Sequence, residues 1–296
     1  MTVLGFFNSP IGVSEMKDMQ SMPDHRNIKI DKVGIKNLKL PVVVQDQKNE
    51  TQTTVADVNF YVDLPHQFKG THMSRFVEIL NDYRDKAIDI CRIEEILQTA
   101  RKKLKAETAH LELTFPYFIE KKAPVSGALG LIDYNCTISA ALNGNDKVDL
   151  LLTVRVPVTS VCPCSKEISK YGAHNQRSLV TLTVRYNEFI WLEELIRVVE
   201  EEGSCEVFSL LKREDEKYVT ETAYENPVFV EDIVRGVTEK LSRDHRIDWF
   251  TIESENLESI HNHNAYALIE RNLKADRVTS KSKKTARAEK ASQGKP

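Results

Sequence analysis

Stretches in which apolar and polar residues alternate one by one dominate this chain, and a period of two residues is typical of β-strands with one buried face. In the first half, two such stretches are followed by two amphipathic helical segments and then by two more alternating stretches. The predicted strands are residues 27–44, 51–64, 109–119 and 127–142, and the predicted helices are 71–83 and 91–104. Gly34 predicts a bend in the first strand, and the segment DQKN after it predicts a hairpin turn.

The same order of elements returns in the second half of the chain. The predicted strands are residues 147–158, 178–186, 247–253 and 265–271, and the predicted helices are 189–201 and 227–241. Asn226 is a plausible N-cap for the second helix, with Pro227 at its first position. Strand pairs that bracket helix pairs predict an α+β fold, with antiparallel sheets and helices on one face. Because four-stranded sheets have open edges, we expect the sheets of several copies to join into an oligomeric β-barrel.

This pattern divides the chain into four parts. Residues 1–26 lack periodicity and form a loosely ordered arm, and residues 27–144 and 145–273 form two ββααββ modules. Residues 274–296 form a basic tail with few large apolar side chains, a composition that favours disorder.

Composition limits the class of protein. The chain has 296 residues and no run of 18 apolar residues, so no transmembrane helix is predicted. Its five cysteines are an odd number with irregular spacing, which indicates a cytoplasmic protein with reduced thiols. The net charge is −3, but the basic tail carries +6 and leaves −9 for the rest. An acidic body argues against a general nucleic-acid binder, and we expect neither nucleic acid nor membrane as a partner.

The segment 161–178, VCPCSKEISKYGAHNQRS, combines two kinds of chemistry. Cys162, Cys164 and His174 are of the types that bind zinc and similar metals. Ser165 and the lysine and arginine side chains of the segment are of the types that bind phosphate oxygens. With one proline between them, both sulfurs on one ion would be strained, so the spacing favours one metal-binding thiol and one that faces substrate. A structural or redox cysteine pair is the alternative.

Other acidic and basic groups could complete such a site. The run 212–221 offers Glu214, Asp215, Glu216 and Glu221, although a charge run is more often a solvated surface. The segment 253–264 holds two histidines and three glutamates, which suit proton transfer and purine recognition or are simply exposed. Arg75 lies near the start of the first predicted helix, where an anion would be favoured.

Several segments together resemble a known enzyme family. PVTSVCPCSKEIS and YGAHNQRS are followed by LLKREDEKYVTETAYENPVFVEDIVR and ESIHNHNAYA, and GTHMSRFVEIL precedes them. This set, spread over about residues 27–272, resembles GTP cyclohydrolase type IB. The resemblance implies two tandem tunnelling-fold modules per chain and a homotetramer. It implies conversion of GTP and water to 7,8-dihydroneopterin triphosphate and formate with a divalent metal, Mn²⁺, Zn²⁺ or Fe²⁺, as the first step of folate and 7-deazapurine synthesis.

The resemblance also implies residue roles. Cys162, His174 and Glu216 would bind the metal, and Cys164 would be a second, catalytically placed thiol. Glu258 would bind the guanine edge and His261 would transfer a proton, while Glu231 is a weaker substrate-binding candidate.

The chemistry of the residues agrees with this reaction. Opening a purine at C8 requires an activated water and an acid for N7, which a metal and a histidine supply. A carboxylate accepts two hydrogen bonds from guanine that adenine cannot offer. The triphosphate needs cations in an acidic body, and the candidates are Lys166, Arg177 and Arg75, with Ser165 beside them.

Two other functions fit part of the pattern. A nitrile reductase of the same fold, which makes a 7-aminomethyl-7-deazaguanine, would use one cysteine as a covalent nucleophile and NADPH as reductant, and it needs no metal. A non-catalytic interaction module would use the cysteines and His174 to hold a structural metal, and it would unfold without that metal.

Overall fold

The computed structural model describes residues 18–20, 22–84, 86–144 and 146–277. Most of the predicted arm and tail therefore lies outside the described residues. The strands are β1 (Ile30–Asp46), β2 (Glu50–Leu64), β3 (Ala87–Ile88), β4 (Ala109–Lys122), β5 (Leu129–Leu142), β6 (Val148–Val161), β7 (Asn175–Tyr186), β8 (Cys205–Glu206), β9 (Ile247–Asn256) and β10 (Ala265–Arg271). The helices are α1 (Met73–Asn81), α2 (Ile90–Leu104), α3 (Pro163–Ile168), α4 (Leu192–Glu200), α5 (Arg213–Glu225) and α6 (Val230–Arg243). In this part of the chain, no helix is both long enough and apolar enough to cross a membrane.

Eight long strands form one continuous sheet in the order β10-β9-β7-β6-β5-β4-β2-β1, and every neighbouring pair in this series is antiparallel. Each half of the chain contributes four of these strands, and each half lays them down in the same sequential order. Strands β5 and β6 join the halves edge to edge. The α+β class with an antiparallel sheet is therefore confirmed.

The alternation in sequence becomes a two-faced sheet. On β6, Val154, Val156 and Val158 are fully buried under the helices, while Thr153 and Arg155 face the other side. Burying one such side chain stabilises the fold by about 1.5–3 kcal/mol. The buried residues of both halves belong to one continuous core that includes the apolar faces of the helices. The predicted bend near Gly34 coincides with two shifts of register between β1 and β2.

The second half departs from the predicted pattern. The charge run at 212–221 lies largely in α5, and a short helix, α3, separates β6 from β7. The last helix does not begin at Pro227, because Asn226 ends α5 and donates its side-chain amide to the carbonyl of Gly203 at 3.0 Å. Helix α6 begins at Val230 instead, so the prediction of Asn226 as its N-cap was wrong.

The sheet opens between its two halves at one end. The ladder between β5 and β6 stops at Asn135 and Arg155, and beyond this point β8 pairs with β6 at Val158 and Thr159. The chain after β8 packs against β5 so closely that a Cβ on Gly130 would lie 2.7 Å from the hydroxyl of Ser209. The segment after β8 leads directly into α5 and brings the first turn of α5 next to the β4–β5 turn.

Candidate active site

The site begins where β6 ends. Cys162 is the N-cap of α3, and Pro163 at the first helical position needs no N–H donor there. The sulfur of Cys162 accepts a hydrogen bond from the backbone N–H of Ser165 at 3.5 Å. Cys162 is half-buried, whereas Cys164 lies on α3 and is exposed. The two thiols therefore have different surroundings, although only one residue separates them.

The loop between Cys162 and His174 closes on itself. The N–H of Cys162 donates to the carbonyl of His174 at 3.1 Å. The hydroxyl of Ser165 accepts from the N–H of His174 and donates to the carbonyl of Cys162, each at 3.2 Å. Gly172 has a φ of 118°, a conformation that favours glycine, which allows the chain to turn back. The loop thereby holds the backbone of Cys162 against that of His174.

The side chains of Gln176 and Glu258 orient the ring of His174. Its Nδ1 lies 2.9 Å from the side-chain oxygen of Gln176 and 3.8 Å from Oε2 of Glu258. The side chains of His174 and Glu258 are only 13% and 11% exposed. In the described residues, Nε2 of His174 has no hydrogen-bond partner, so that nitrogen is available to a ligand.

Glu258 reaches this place from the end of β9. Its N–H donates to the carbonyl of Asn256 at 2.9 Å, and the N–H of Leu257 donates to the carbonyl of Arg177 at 3.0 Å. These bonds hold the start of the predicted purine-binding segment against β7. The structure thus places Glu258 beside His174, whose backbone is bonded to that of Cys162.

Two of the predicted phosphate-binding residues, Lys166 and Arg177, lie on α3 within the loop and on β7 just after it. The ammonium of Lys166 lies 4.5 Å from the centre of the Tyr224 ring and donates to the carbonyl of that residue. Arg177 is exposed on β7, and its guanidinium has no ion-pair or hydrogen-bond partner within the described ranges. The ammonium of Lys166 is therefore held by the end of α5, whereas the guanidinium of Arg177 is open to a ligand.

Glu216 lies on the first turn of α5 and is exposed. The residue before it, Asp215, is fully buried and accepts four hydrogen bonds, from the N–H groups of Val125, Ser126 and Lys212 and from the hydroxyl of Ser126. Burial alone would raise the pKa of the Asp215 carboxyl, but these hydrogen bonds lower it well below its usual value. Asp215 is therefore a charged anchor for this turn, and the sequence pattern had given no reason to single it out from its neighbours.

The thiol of Cys162 and the free Nε2 of His174 are suitable donors for zinc and similar borderline metals. An imidazole that bonds a second residue through its other nitrogen is the usual arrangement around a bound metal. Across the described ranges of this single chain, however, no three His, Cys, Asp or Glu side chains converge into a metal cluster. The donor chemistry therefore fits a metal, and Glu216 is not brought up to complete the set.

Three other predicted residues lie at different distances from the loop. Glu231 is exposed on the first turn of α6, and the N–H of Val228 just before this helix bonds the carbonyl of Val161 at the end of β6. His261 is exposed, and its ring stacks on that of His263 with 5.0 Å between centroids. Arg75 lies on α1, which packs near β1, and it donates to the carbonyl of Lys103. Because four strands separate β1 from β7, Arg75 lies roughly 20 Å or more from the loop of the same chain.

Sequence reasoning missed a group of buried polar residues beneath the loop. They are Ser160, Gln176, Ser178 and Asn256, which are at most 8% exposed. A signal was present, because each occupies a position where the strand alternation calls for an apolar side chain.

Comparison with known sequences identifies the family. A family model described as type I GTP cyclohydrolase folE2 matches residues 16–267. The chain is 59% identical over 256 residues to the GTP cyclohydrolase FolE2 of Geobacter sp. (strain M21), which covers 86% of this chain and 95% of that protein. It is also 59% identical over 263 residues to the GTP cyclohydrolase FolE2 of Geobacter metallireducens, with 88% and 99% covered.

Several solved structures of similar shape are urate oxidases. A uricase from Bacillus fastidious has a TM-score of 0.52 at 7% identity, and 81% of this chain and 92% of that chain are covered. The urate oxidase of Bacillus sp. TB-90 has a TM-score of 0.50 at 10% identity, with 82% and 99% covered. At such low identity the likeness shows the fold alone, which is the tunnelling fold expected from the sequence.

The family match favours the cyclohydrolase over the nitrile reductase and over the interaction module. It spans both halves of the chain and includes the Cys162–His174 loop, α5 and the segment after β9. On these grounds, this chain belongs to the type I GTP cyclohydrolase folE2 family.

Proposed function

We propose that this chain is a GTP cyclohydrolase of type IB, which hydrolyses GTP and releases formate and 7,8-dihydroneopterin triphosphate. The observation that carries the proposal is the meeting of Cys162, His174 and Glu258 at the ends of β6, β7 and β9. This places a thiol, an imidazole and a partly buried carboxylate around one point in a chain of the cyclohydrolase family. We place the reaction in the cytoplasm, where the free cysteines would stay reduced.

The metal site proposed for this enzyme consists of Cys162, Nε2 of His174 and Glu216. A divalent ion such as Mn²⁺, Zn²⁺ or Fe²⁺ would supply Lewis-acid chemistry and an activated water near neutral pH. Cys162 and His174 are already held by the closed loop, so completing the site requires only that Glu216 approach them. Cys164, exposed on α3 beside the ligands, is the thiol that faces substrate.

Recognition of the purine falls to the segment after β9. The carboxylate of Glu258 accepts from N1–H and the N2 amino group of guanine, which adenine does not present in that arrangement. His261 gives a proton to N7 as the bond to C8 breaks, since imidazole changes protonation near neutral pH. Lys166, Ser165 and Arg177 line the loop for the triphosphate, and Glu231 lies close to the end of β6 as a further substrate contact.

Arg75 can reach this site only from another copy of the chain. The sheet ends in β10 on one side and in β1 with the short β3 on the other, and open edges favour pairing between copies. We therefore infer a homotetramer, in which the first half of one chain lies beside the second half of its neighbour. In that arrangement α1 brings Arg75 towards the phosphates bound by the neighbouring loop.

The test is incubation of the purified protein with GTP and Mn²⁺, followed by oxidation, pterin fluorescence and assay of formate. We expect both products in equal amounts, with loss of both after metal removal and recovery on adding Mn²⁺ or Zn²⁺. The metal-free protein should remain folded, unlike an interaction module held together by its metal. Absence of pterin and formate from metal-loaded protein would overturn the proposal.

A further inference from the structure

A chain of buried polar side chains leads from His174 into the sheet. The amide nitrogen of Gln176 donates to the hydroxyl of Ser160 at 3.0 Å. The hydroxyls of Ser160 and Ser178 lie 2.9 Å apart, and that of Ser178 donates to the side-chain oxygen of Asn256 at 2.6 Å. This hydrogen-bonded network thus joins the three neighbouring strands β6, β7 and β9. It ends at Asn256, two residues before Glu258.

These residues occupy the buried face of the sheet, most of which is apolar. Ser160 and Ser178 are fully buried and Asn256 is 3% exposed, and the same face continues along β6 and β7 as Val158 and Val180. Burying a hydroxyl or an amide is unfavourable unless its hydrogen bonds are made. An apolar residue at each position would fill the same space without this requirement. Within the described residues, this polar network reaches the ring of His174 through Gln176, which indicates a role other than packing.

The direction of these hydrogen bonds determines which nitrogen of the His174 ring carries the proton. The amide nitrogen of Gln176 donates to the hydroxyl of Ser160, so the side-chain oxygen of Gln176 is turned away from Ser160. The oxygen of Gln176 then faces Nδ1 of His174 at 2.9 Å. An amide oxygen can only accept, so Nδ1 carries the proton and Nε2 carries a lone pair.

We propose that Gln176, oriented by Ser160, Ser178 and Asn256, is a positioning residue that holds the proton of neutral His174 on Nδ1 and presents Nε2 to the metal. The inference rests on the proposed metal site of Cys162, His174 and Glu216. It adds a specific cause for the affinity of that site: the ring is fixed in both orientation and tautomer before the ion arrives. Since Asn256 lies two residues before Glu258, the same hydrogen-bonded network ties the metal ligand to the purine-binding carboxylate.

The experiment measures Zn²⁺ and Co²⁺ affinity of the full-length protein by competition with a chromophoric chelator. Gln176→Leu removes the acceptor and should weaken binding about 10- to 100-fold, the usual effect of losing a residue that orients a metal ligand. Gln176→Glu keeps an acceptor oriented to Nδ1 and should restore affinity to within a few fold of the unaltered protein. The absorption spectrum of bound Co²⁺ should change in Gln176→Leu and stay close to that of the unaltered protein in Gln176→Glu.

Gln52→Leu is the matched control. Gln52 is a half-buried glutamine on β2 that bonds Asp46 and the backbone of Phe118, far from the loop. Its loss should affect stability without affecting metal affinity. If Gln176→Leu does not fold, Ser160→Ala removes the acceptor of the Gln176 amide and should still lower metal affinity several-fold.

The outcomes separate this inference from the proposed function. If His174→Ala abolishes metal binding while Gln176→Leu, or Ser160→Ala in its place, binds as tightly as the unaltered protein, the positioning role is wrong and the metal site stands. If His174→Ala binds metal normally, both the proposed metal site and the role of Gln176 are wrong. Equal loss of affinity in Gln176→Leu and Gln52→Leu would show a general effect on folding and would also overturn the inference.

Discussion

Ser126 and Asp215 join the two halves of the chain at the β4–β5 turn. The backbone N–H of Ser126 donates to Oδ1 of Asp215 at 2.8 Å, and its hydroxyl donates to Oδ2 at 2.5 Å. Gly127, at a φ of 70°, completes the turn that presents both donors. Because Asp215 also accepts from the N–H of Lys212, one carboxylate caps α5 and anchors it to the first half.

The first prediction concerns this anchor. Asp215→Asn keeps the size of the side chain but places an amide opposite donors, so the free energy of unfolding should fall by about 2–3 kcal/mol. Urea unfolding followed by circular dichroism measures the change. Asp232→Asn is the control, because Asp232 caps α6 by accepting from the N–H of Phe229 at 3.0 Å and makes no contact with the turn. It should lower stability by about 1 kcal/mol, and equal effects of the two variants would contradict the role of Asp215 between the halves.

The second prediction separates the two thiols. Cys162→Ala should lose the metal, because the half-buried sulfur at the start of α3 is the proposed ligand. Cys164→Ala should keep most of the metal and lose turnover, because that thiol is exposed and is the one proposed to face substrate. Metal content by atomic emission and pterin formation from GTP measure the two effects on the same samples. A fully active Cys164→Ala variant would show that this division of roles is wrong.

The fold could be predicted because its main signal is local. A strand such as β6 reveals its buried face through alternate valines, and the repeated order of elements follows from reading those faces in turn. Helix α5 could not be found in this way. Its buried residues are only Asp215 and Ala223, so it has no apolar stripe and its sequence reads as a charged surface. Its first turn is anchored by hydrogen bonds with the β4–β5 turn, which no local pattern contains.

The candidate site, too, could be predicted from local sequence only in part. Cys162 and His174 could be paired from sequence because one short loop carries both, and Glu258 could be added by family resemblance. The support from Ser160 and Asn256 could not be predicted, since it depends on which strands are neighbours and in which register. A polar residue on the buried face of a strand is the one local sign of such a network.

The third prediction concerns acid stability. Asp63 is 2% exposed and accepts from the N–H groups of Glu107 and Thr108, with Lys29 at 3.0 Å. Burial by itself would raise the pKa of the Asp63 carboxyl, but its hydrogen bonds from Thr108, Lys29 and Glu107 lower it below the usual value. A carboxyl with a lowered folded-state pKa stabilises the fold above the unfolded-state pKa of about 4, and this stabilisation is lost as the pH falls through the folded-state value.

The unaltered protein should therefore lose part of its free energy of unfolding below about pH 4, and Asp63→Asn should be less stable at pH 7 but change less on acidification. Denaturant unfolding at a series of pH values measures both. Asp57→Asn is the control, because Asp57 pairs with Lys39 on the surface, where such pairs contribute about 0–1 kcal/mol. If Asp63→Asn shows the same pH dependence as the unaltered protein, the bonded carboxylate is not the cause of acid sensitivity.

The fourth prediction compares two glycines. A Cβ at Gly34 would overlap the backbone carbonyl of Phe60 on the adjacent strand, which cannot move without breaking the ladder between β1 and β2. A Cβ at Gly236, inside α6, would overlap only the carboxylate of Glu202, the end of a flexible side chain that pairs with Lys240. Gly34→Ala should therefore destabilise the protein by about 3 kcal/mol or more.

Gly236→Ala should change the free energy of unfolding by no more than about 1 kcal/mol. Alanine gains roughly 0.8–1 kcal/mol over glycine inside a helix, and this offsets the displacement of a partly exposed ion pair. Thermal and urea unfolding of both variants measure the contrast, and Glu202→Ala combined with Gly236→Ala removes the obstructing carboxylate. The double variant should then recover the helical gain, because the added methyl group has room. A large loss of stability in the double variant would mean that backbone packing around α6, rather than the Glu202 side chain, excludes a larger residue at position 236.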